Sequence, residues 1–139
     1  MVHALKEAHR VLVPHGIMID VRPLSTDCPL EVIFKGGSES AGMIDMSPGV
    51  EFDRDADRAI EAVVTERTYN EIEVEYFDFT YYWKTVKGMQ EDIEEHWKGE
   101  VIITDEVWRR ARMLFKKRLP GTHIRVIIKM KLGKYLKNG

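Results

Sequence analysis

The five histidines are the residues best suited to bind a metal ion or transfer protons, and their spacing separates them. His3, His9 and His15 are six residues apart, so on one helix successive rings would point about 240° apart. These three cannot share one metal-binding face, and His96 and His123 lie far along the chain. Because zinc sites need several ligands at short, regular spacings, the sequence predicts no metal site.

Cys28 and a run of aromatic residues are the next candidates for chemistry. Cys28 is the single cysteine, so no internal disulfide can form, and no cysteine or histidine stands beside it to activate a thiolate. Tyr81, Tyr82 and Trp83 could line a pocket or enclose a methylated cation. Aromatic residues on a strand more often fill a core, and we favour that interpretation.

The charge of the chain is strongly polarised. Residues 1–108 hold all 23 acidic residues and 10 of the 21 basic ones, whereas residues 109–139 hold the other 11 basic residues and no acid. Arg109, Arg110 and Lys117, on one predicted helix, are the best candidates for contacts to nucleic-acid phosphates. Alternatively, the basic end pairs with acidic residues of the same chain and otherwise faces solvent.

Hydrophobic periodicity predicts both helices and strands along the chain. The helices are predicted at 2–12, 53–68, 87–97 and 105–119, and the strands at 17–22, 31–35, 42–46, 71–84 and 122–132. We expect an α/β fold close to α+β: a small mixed sheet that ends in two long antiparallel strands, with helices packed on its faces. Residues 1–132 are expected to form a single domain, and residues 133–139 a flexible C-terminal tail.

Three strand predictions carry particular consequences. Residues 17–22 read Ile-Met-Ile-Asp-Val-Arg, a largely apolar run that is typical of a buried strand in a parallel arrangement. In the strand at 71–84 the apolar alternation changes phase, so a β-bulge is expected near Tyr76 and Phe77. We also expect opposite charges to pair across the two long strands, between two sets: Glu71, Glu73 and Glu75 with Arg125, Lys129 and Lys131.

Residues 4–23 resemble a segment of class I S-adenosylmethionine-dependent methyltransferases. In that family a helix ending in an Arg-Val-Leu-Lys-Pro-Gly-Gly-like stretch leads into the fifth strand of the sheet, and here residues 10–16 read Arg-Val-Leu-Val-Pro-His-Gly. His15 stands in place of the first glycine. The resemblance implies a truncated Rossmann-like fold in which the strand at 17–22 lies beside the last strand, at 122–132.

The resemblance also implies how the cofactor would be bound, and the residues needed for it are missing from this sequence. In the family a glycine-rich loop after the first strand approaches the cofactor, and an acidic residue after the second strand binds its ribose. No Gly-x-Gly occurs in the chain, and the matching segment comes after the point where both features should lie. We therefore expect this chain alone to bind no cofactor and methylate nothing, and to use S-adenosylmethionine only with a complementary half.

Two further expectations concern the strand at 17–22. Asp20 and Arg22 lie toward its C-terminal end, where open α/β sheets place ligands, so they are the candidates to face a substrate. Without the strands that precede it in the family, this strand would be an apolar edge, which is a template for pairing. We expect a homodimer, or a complex with a cofactor-binding partner chain, through these apolar residues: Ile17, Ile19, Val21, Leu5 and Leu12.

Two classes of function stay open on these grounds. One is a methyltransferase-like protein or fragment that acts through self-association or a partner chain. The other is a non-catalytic interaction domain whose basic C-terminal surface binds nucleic acid. No apolar run approaches the roughly 20 residues that span a bilayer, so no membrane contact is expected. With one cysteine and no secretory signal pattern, the cytoplasm is the expected compartment.

Overall fold

The computed structural model describes residues 1–117 and 120–139. Each predicted helix and strand has a counterpart in it, although Arg118 and Leu119, at the end of the fourth predicted helix, lie outside the described residues. The helices are α1 (Val2–Val11), α2 (Val50–Thr65), α3 (Val86–His96) and α4 (Asp105–Lys116), with a short 3-10 helix at Ser47–Gly49. The strands are β1 (Ile17–Pro23), β2 (Cys28–Phe34), β3 (Gly37–Ile44), β4 (Tyr69–Trp83) and β5 (His123–Lys137).

The five strands form one antiparallel sheet in the order β1–β5–β2–β3, with β4 also paired to β5. β1 pairs with the second half of β5, from Ile17 opposite Leu136 to Pro23 opposite Met130. The expected α+β character therefore agrees with the structure. The mixed sheet and the parallel surroundings predicted for residues 17–22 are wrong, because the neighbour of β1 is the C-terminal strand running in the opposite direction.

The first of two compact units consists of Met1–Leu24, Val50–Phe77 and Lys129–Gly139. In this unit α1 packs against α2, and together they cover one face of β1, β5 and the start of β4. The Tyr69 hydroxyl donates a hydrogen bond of 2.9 Å to the Leu5 carbonyl oxygen, which ties β4 to α1. The core of the unit consists of these buried side chains: Leu5, Ala59, Ile60, Val63, Tyr69 and Tyr135.

The second unit consists of Ser25–Gly49 and Asp78–Ile128. In this unit α4 packs on the β2–β3 hairpin, and at Gly42 the two approach so closely that a Cβ would lie 2.8 Å from Val107 Cγ2. Thr104 caps α4 by accepting a hydrogen bond of 3.3 Å from the Val107 amide. Both units include part of β4 and part of β5, and the single domain over residues 1–132 stays a prediction.

The end of β5 differs from the flexible tail that the sequence predicted from residue 133. The strand continues to Lys137, and both Tyr135 and Lys137 are buried. The Lys137 ammonium donates a hydrogen bond of 2.7 Å to the Leu12 carbonyl oxygen, just after α1 ends. Because a cation at a helix C-terminus satisfies carbonyls that have no helical partner, this contact fixes residues 133–137 in the fold.

Two basic residues of β5, Arg125 and Lys131, pair with carboxylates other than the glutamates of β4. Arg125 binds Glu31 of β2, with Nη2 and Oε2 3.0 Å apart. Lys131 binds Asp57 of α2, with Nζ and Oδ1 3.0 Å apart. The prediction is therefore wrong for Arg125 and Lys131, because the carboxylates that reach them come from other elements than β4.

The apolar residues along β4 are largely uncovered. Tyr69 is its one fully buried residue, and Ile72, Tyr76 and Phe77 are exposed. The sequence argument for a β-bulge near Tyr76 and Phe77 assumed a continuous buried face across the phase change. That buried face is not present, and the bulge itself stays a prediction.

Candidate functional site

Within the first unit, whose residues are all described by the structure, no helix covers one face of the sheet, and we call it the open face. Opposite residues of an antiparallel pair share a face, so the register places Ile19 beside Lys134 and Val21 beside Leu132. On β4 the residues that alternate with buried Tyr69 point to the same side. The open face is defined by these residues: Ile17, Ile19 and Val21 of β1, Ile72, Val74 and Tyr76 of β4, and Met130, Leu132, Lys134 and Leu136 of β5.

The outer strands of the open face expose large apolar side chains. Ile19 is 59% exposed and Tyr76 61% exposed, and Ile17, Val21 and Ile72 are also exposed. A fully exposed aliphatic side chain presents roughly 60–120 Å² and a tyrosine roughly 150–250 Å². These five side chains together therefore expose on the order of 300 Å², which is comparable with the largest apolar patch on a typical monomer.

Both outer strands of this unit have a free edge, but their chemistry differs. β4 carries Glu71, Glu73 and Glu75 in a row, all exposed. The hydrogen bond and charge of Glu73 raise the pKa of Glu75 above its ordinary value, which shows how closely these carboxyl groups are crowded. Charged side chains on an edge strand prevent pairing with another chain. β1 carries no comparable row of charged residues of one sign, so its edge is the one suited to pair with a further strand.

Lys134 is the single charged residue among those that define the open face. It lies on the central strand, opposite Ile19 and between Leu132 and Leu136 in the same row. Within the part of the chain that the structure describes, Lys134 makes no ion pair. An ammonium surrounded by apolar side chains distinguishes this surface from a plain hydrophobic patch.

Asp20 and Arg22, the candidates to face a substrate, lie on the helix-covered face of β1, and their role toward a substrate stays a prediction. Arg22 Nε donates a hydrogen bond of 2.7 Å to Asp20, and Arg22 Nη2 donates one of 2.9 Å to Asp57 of α2. Lys131 completes the network from β5. Burial alone would raise the pKa of Asp57, but the hydrogen bonds from Arg22 and Lys131, with their charges, lower it below its ordinary value. These ion pairs connect α2 to the sheet, and the two carboxylates and two cations of the network are paired with one another.

The five residues predicted to form an interface separate into two groups. Ile17, Ile19 and Val21 are exposed on the open face, where a partner can reach them. Leu5 is buried in the core between α1, α2 and the sheet, and Leu12 packs against the same core. The helical part of the expected interface is therefore internal, and the strand part is on the surface.

The aromatic residues of the second unit pack against one another. The Tyr81 ring lies 5.2 Å from Trp97 and is stacked 5.9 Å from Trp83, with an interplanar angle of 13°. A cation cage needs its rings arranged around a central space, and rings in mutual contact leave none between them. Tyr82 points away from this cluster and is exposed beside His123. Tyr81 and Trp83 are half-buried in this cluster, and Trp83 also lines a pocket together with Tyr82 and His123.

The residues proposed for nucleic-acid contacts are exposed on α4 or directly after it. Arg109 Nη2 is 3.6 Å from Glu106 Oε1, an ion pair on the helix surface. Arg110 and Lys117 are exposed as well, but Arg110 lies about 100° around the helix from Arg109. A second set of cations lies closer together, since Lys87, Arg112 and Lys116 line one shallow pocket with Phe115. The sequence pattern did not identify this pocket, because Lys87 comes from a different helix.

The remaining candidates for chemistry are isolated or buried. Burial, with the nearby charge of Asp27, raises the pKa of the Cys28 thiol to about 11, which suppresses its reactivity. Asp92 accepts hydrogen bonds of 2.8 Å from Trp83 and from the His96 ring, and the bond to Asp92 raises the pKa of His96. Within the described residues, no group of three His, Cys, Asp or Glu side chains could hold a metal ion.

The open face is thus the candidate site that both the sequence and the structure indicate. The sequence indicated the β1 part through the apolar run at 17–22, but it did not indicate that β5 and β4 extend the surface or that Lys134 lies in it. None of the helices in the described ranges is long and apolar enough to cross a bilayer. Comparison of the chain with protein-family models, curated proteins and solved structures finds no match.

Proposed function

We propose that this chain is the C-terminal part of a class I S-adenosylmethionine-dependent methyltransferase fold that works only in association with another chain. The partner supplies the cofactor-binding half and joins at the edge of β1. The observation that carries the proposal is the uncovered apolar surface of β1, β5 and β4, which continues to the free edge of β1.

The arrangement of strands supports this assignment. The resemblance implies that the strand after the Arg-Val-Leu-Val-Pro-His-Gly segment lies beside the last strand of the fold, and β1 pairs with β5. The turn between α1 and β1 is consistent with the motif as well. His15 has a φ of 62°, a left-handed conformation that favours glycine. A conformation of this kind costs a glycine less than a histidine, which is consistent with the glycine that the family pattern has at this position.

The chain alone has no means of holding the cofactor in the way that the family does. It contains no Gly-x-Gly, and close backbone approach to a nucleotide requires such glycines. Gly36 and Gly37 lie at the turn of the β2–β3 hairpin rather than between a strand and a helix. Methyl transfer therefore depends on the partner chain, and this chain contributes the end of the sheet.

Reconstitution with the candidate partner tests the proposal. The coding sequence next to this one is examined for a strand, a Gly-x-Gly loop and a helix, and that chain is expressed with this one. Calorimetry is expected to show S-adenosylmethionine binding by the complex and none by this chain alone. Ile19→Glu should abolish assembly, because it puts a charge on the apolar surface of β1 where the partner is proposed to join. Met113→Glu, at an exposed apolar residue of α4, is the matched control and should leave assembly unchanged.

Three results would contradict this proposal. Stoichiometric binding of S-adenosylmethionine by the isolated chain would show that no cofactor-binding half is needed. A complex that forms through Ile19 but never binds the cofactor would favour a non-catalytic interaction domain. If light scattering instead shows a stable homodimer that Ile19→Glu dissociates, a second copy is the partner.

The pocket beside α4 favours nucleic-acid binding as the second candidate function. Three cationic side chains and the Phe115 ring line it, a combination suited to a phosphate and a stacked base. The expected signature is affinity for single-stranded oligonucleotides that falls steeply with salt. The double variant Arg112→Ala, Lys116→Ala should lose that affinity, whereas Arg110→Ala should change it little. If all these variants lost affinity to the same extent, diffuse charge attraction rather than the pocket would explain the binding.

A further inference from the structure

The width and length of the open face match one α-helix. Three adjacent strands about 4.8 Å apart span roughly 10–15 Å, and a helix with its side chains is about 10–12 Å across. Along the strands, the seven residues of β1 extend about 23 Å, which corresponds to roughly 15 residues of helix. Packing a helix across the face would cover both the β1 and the β4 side chains.

The chemistry of the open face further restricts what can cover it. Lys134 lies on the middle strand, with apolar neighbours on the same face. A fully apolar cover would bury the ammonium without a partner, which is costly. A carboxylate in the cover, placed opposite Lys134, would convert that cost into a charge-assisted hydrogen bond.

A second copy of this chain suits the open face less well. No acidic residue is among those that define the face, so a symmetric contact of two such faces offers Lys134 no carboxylate. Since Lys134 is on the central strand, a two-fold axis near the centre of the face would bring the two ammonium groups together. Like charges that oppose each other in this way are destabilising.

We infer that the open face binds an amphipathic helix of a partner chain, and that this helix carries an acidic residue in its apolar stripe opposite Lys134. The inference rests on the proposed association with a partner, but it requires no methyltransferase chemistry. It adds a requirement on the partner that can be recognised in a sequence: a helix of about 15 residues or more, apolar at i, i+3, i+4 and i+7, with one Asp or Glu within the apolar stripe.

Binding of designed peptides to the full chain tests the inference. The probes are three labelled helical peptides of about 18 residues, long enough to be helical in water, with a leucine stripe interrupted by Glu, Gln or Lys. Fluorescence anisotropy is expected to show that the Glu peptide binds at least about tenfold more tightly than the Lys peptide. On Lys134→Glu the preference should reverse, and on Lys134→Met it should disappear while apolar binding remains.

Further controls separate the charge effect from misfolding. Circular dichroism establishes that each variant keeps its helices and strands. Ile19→Asn should weaken all three peptides, because it removes apolar surface without placing a carboxylate opposite Lys134. Met113→Asn, at an exposed residue of α4, should weaken none. Raising the salt concentration should narrow the difference between the Glu and Lys peptides, because an accessible ion pair is screened.

The inference fails if the Glu and Lys peptides bind wild type equally, if Ile19→Asn leaves binding unchanged, or if no peptide binds at millimolar concentration. These outcomes are independent of the cofactor, which is absent from the assay. A charge-selective open face with no cofactor binding by any reconstituted complex would leave this inference standing and remove the proposed function. A reconstituted complex that binds the cofactor without charge selectivity at Lys134 would support the proposed function and remove this inference.

Discussion

Replacing Asp57 with Asn tests whether the ion network between α2 and the sheet stabilises the fold. Asp57 Oδ1 lies 2.9 Å from Arg22 Nη2 and 3.0 Å from Lys131 Nζ. The two cations are largely shielded, with side chains 15% and 19% exposed, whereas the Asp57 side chain is 50% exposed. Asn keeps one oxygen acceptor, so the change removes mainly the charge.

The expected loss in the free energy of unfolding at pH 7 is about 1–2 kcal/mol. Charge-assisted hydrogen bonds contribute roughly 1.5–3 kcal/mol when well shielded, and the exposure of Asp57 lowers that toward the value for surface pairs, about 0–1 kcal/mol. The matched control is Asp55→Asn. Asp55 pairs with Arg58 at 3.3 Å, and both side chains are 69% exposed, so its loss should stay below about 0.5 kcal/mol.

The dependence on pH distinguishes a charge effect from a packing effect. The pKa of Asp57 is lowered below 3.8 in the folded state, so its contribution is fully present above the unfolded value and is lost as the pH falls through the folded value. Urea unfolding of wild type and Asp57→Asn should therefore differ by a constant amount from pH 5 to 7, and the difference should shrink below pH 3.8. A difference that persists unchanged at pH 3, or an equal loss in Asp55→Asn, would refute the reasoning.

Three further substitutions test backbone conformation at single residues, and one labelling experiment tests the burial of Cys28. Arg67 follows the end of α2 in a left-handed conformation with φ 61°. Arg67→Gly should therefore stabilise the chain by about 0.5–1 kcal/mol, which urea unfolding would show as a higher midpoint. A lower midpoint would contradict this expectation. Gly42→Ala should cost about 2–3 kcal/mol, because its φ is 137° and its Cβ would meet Val107. Gly36→Ala, where φ is 96° but the space is free, should cost only about 1 kcal/mol. Cys28, with a pKa of about 11, is thiolate in about one molecule in a thousand at pH 8, so Ellman's reagent should label it slowly until urea unfolds the chain.

The sequence predicted the helices and strands well because each carries a local signal. Pro14 and Gly16 mark the end of α1 and the start of β1, and the turn between them needs no information from elsewhere in the chain. The fourth helix was predicted from the apolar residues that recur at helical spacing after residue 105, and α4 begins at Asp105. Signals of this kind depend on a few consecutive residues.

The neighbours of each strand were less predictable, because pairing is decided by parts of the chain that are far apart. Residues 17–22 have the composition of a buried parallel strand, yet β1 is an antiparallel edge strand. Arg125 and Lys131 were assigned to the glutamates of β4, yet Glu31 and Asp57 reach them instead. Alternation fixes which side of a strand a residue faces, but it does not identify the element that faces it.

The open face is where this limit has a consequence for function. Ile72, Val74 and Tyr76 alternate as the inner residues of a strand do, and the sequence interpretation took such alternation as a sign of burial. In the structure α1 and α2 cover the opposite side, so these residues and Ile19 stay exposed. Apolar alternation therefore indicates that a face is suited to be covered, not that the same chain covers it. Within the described residues the Lys134 ammonium on this face makes no ion pair. This combination of apolar surface and charge is the basis of the proposed partner helix.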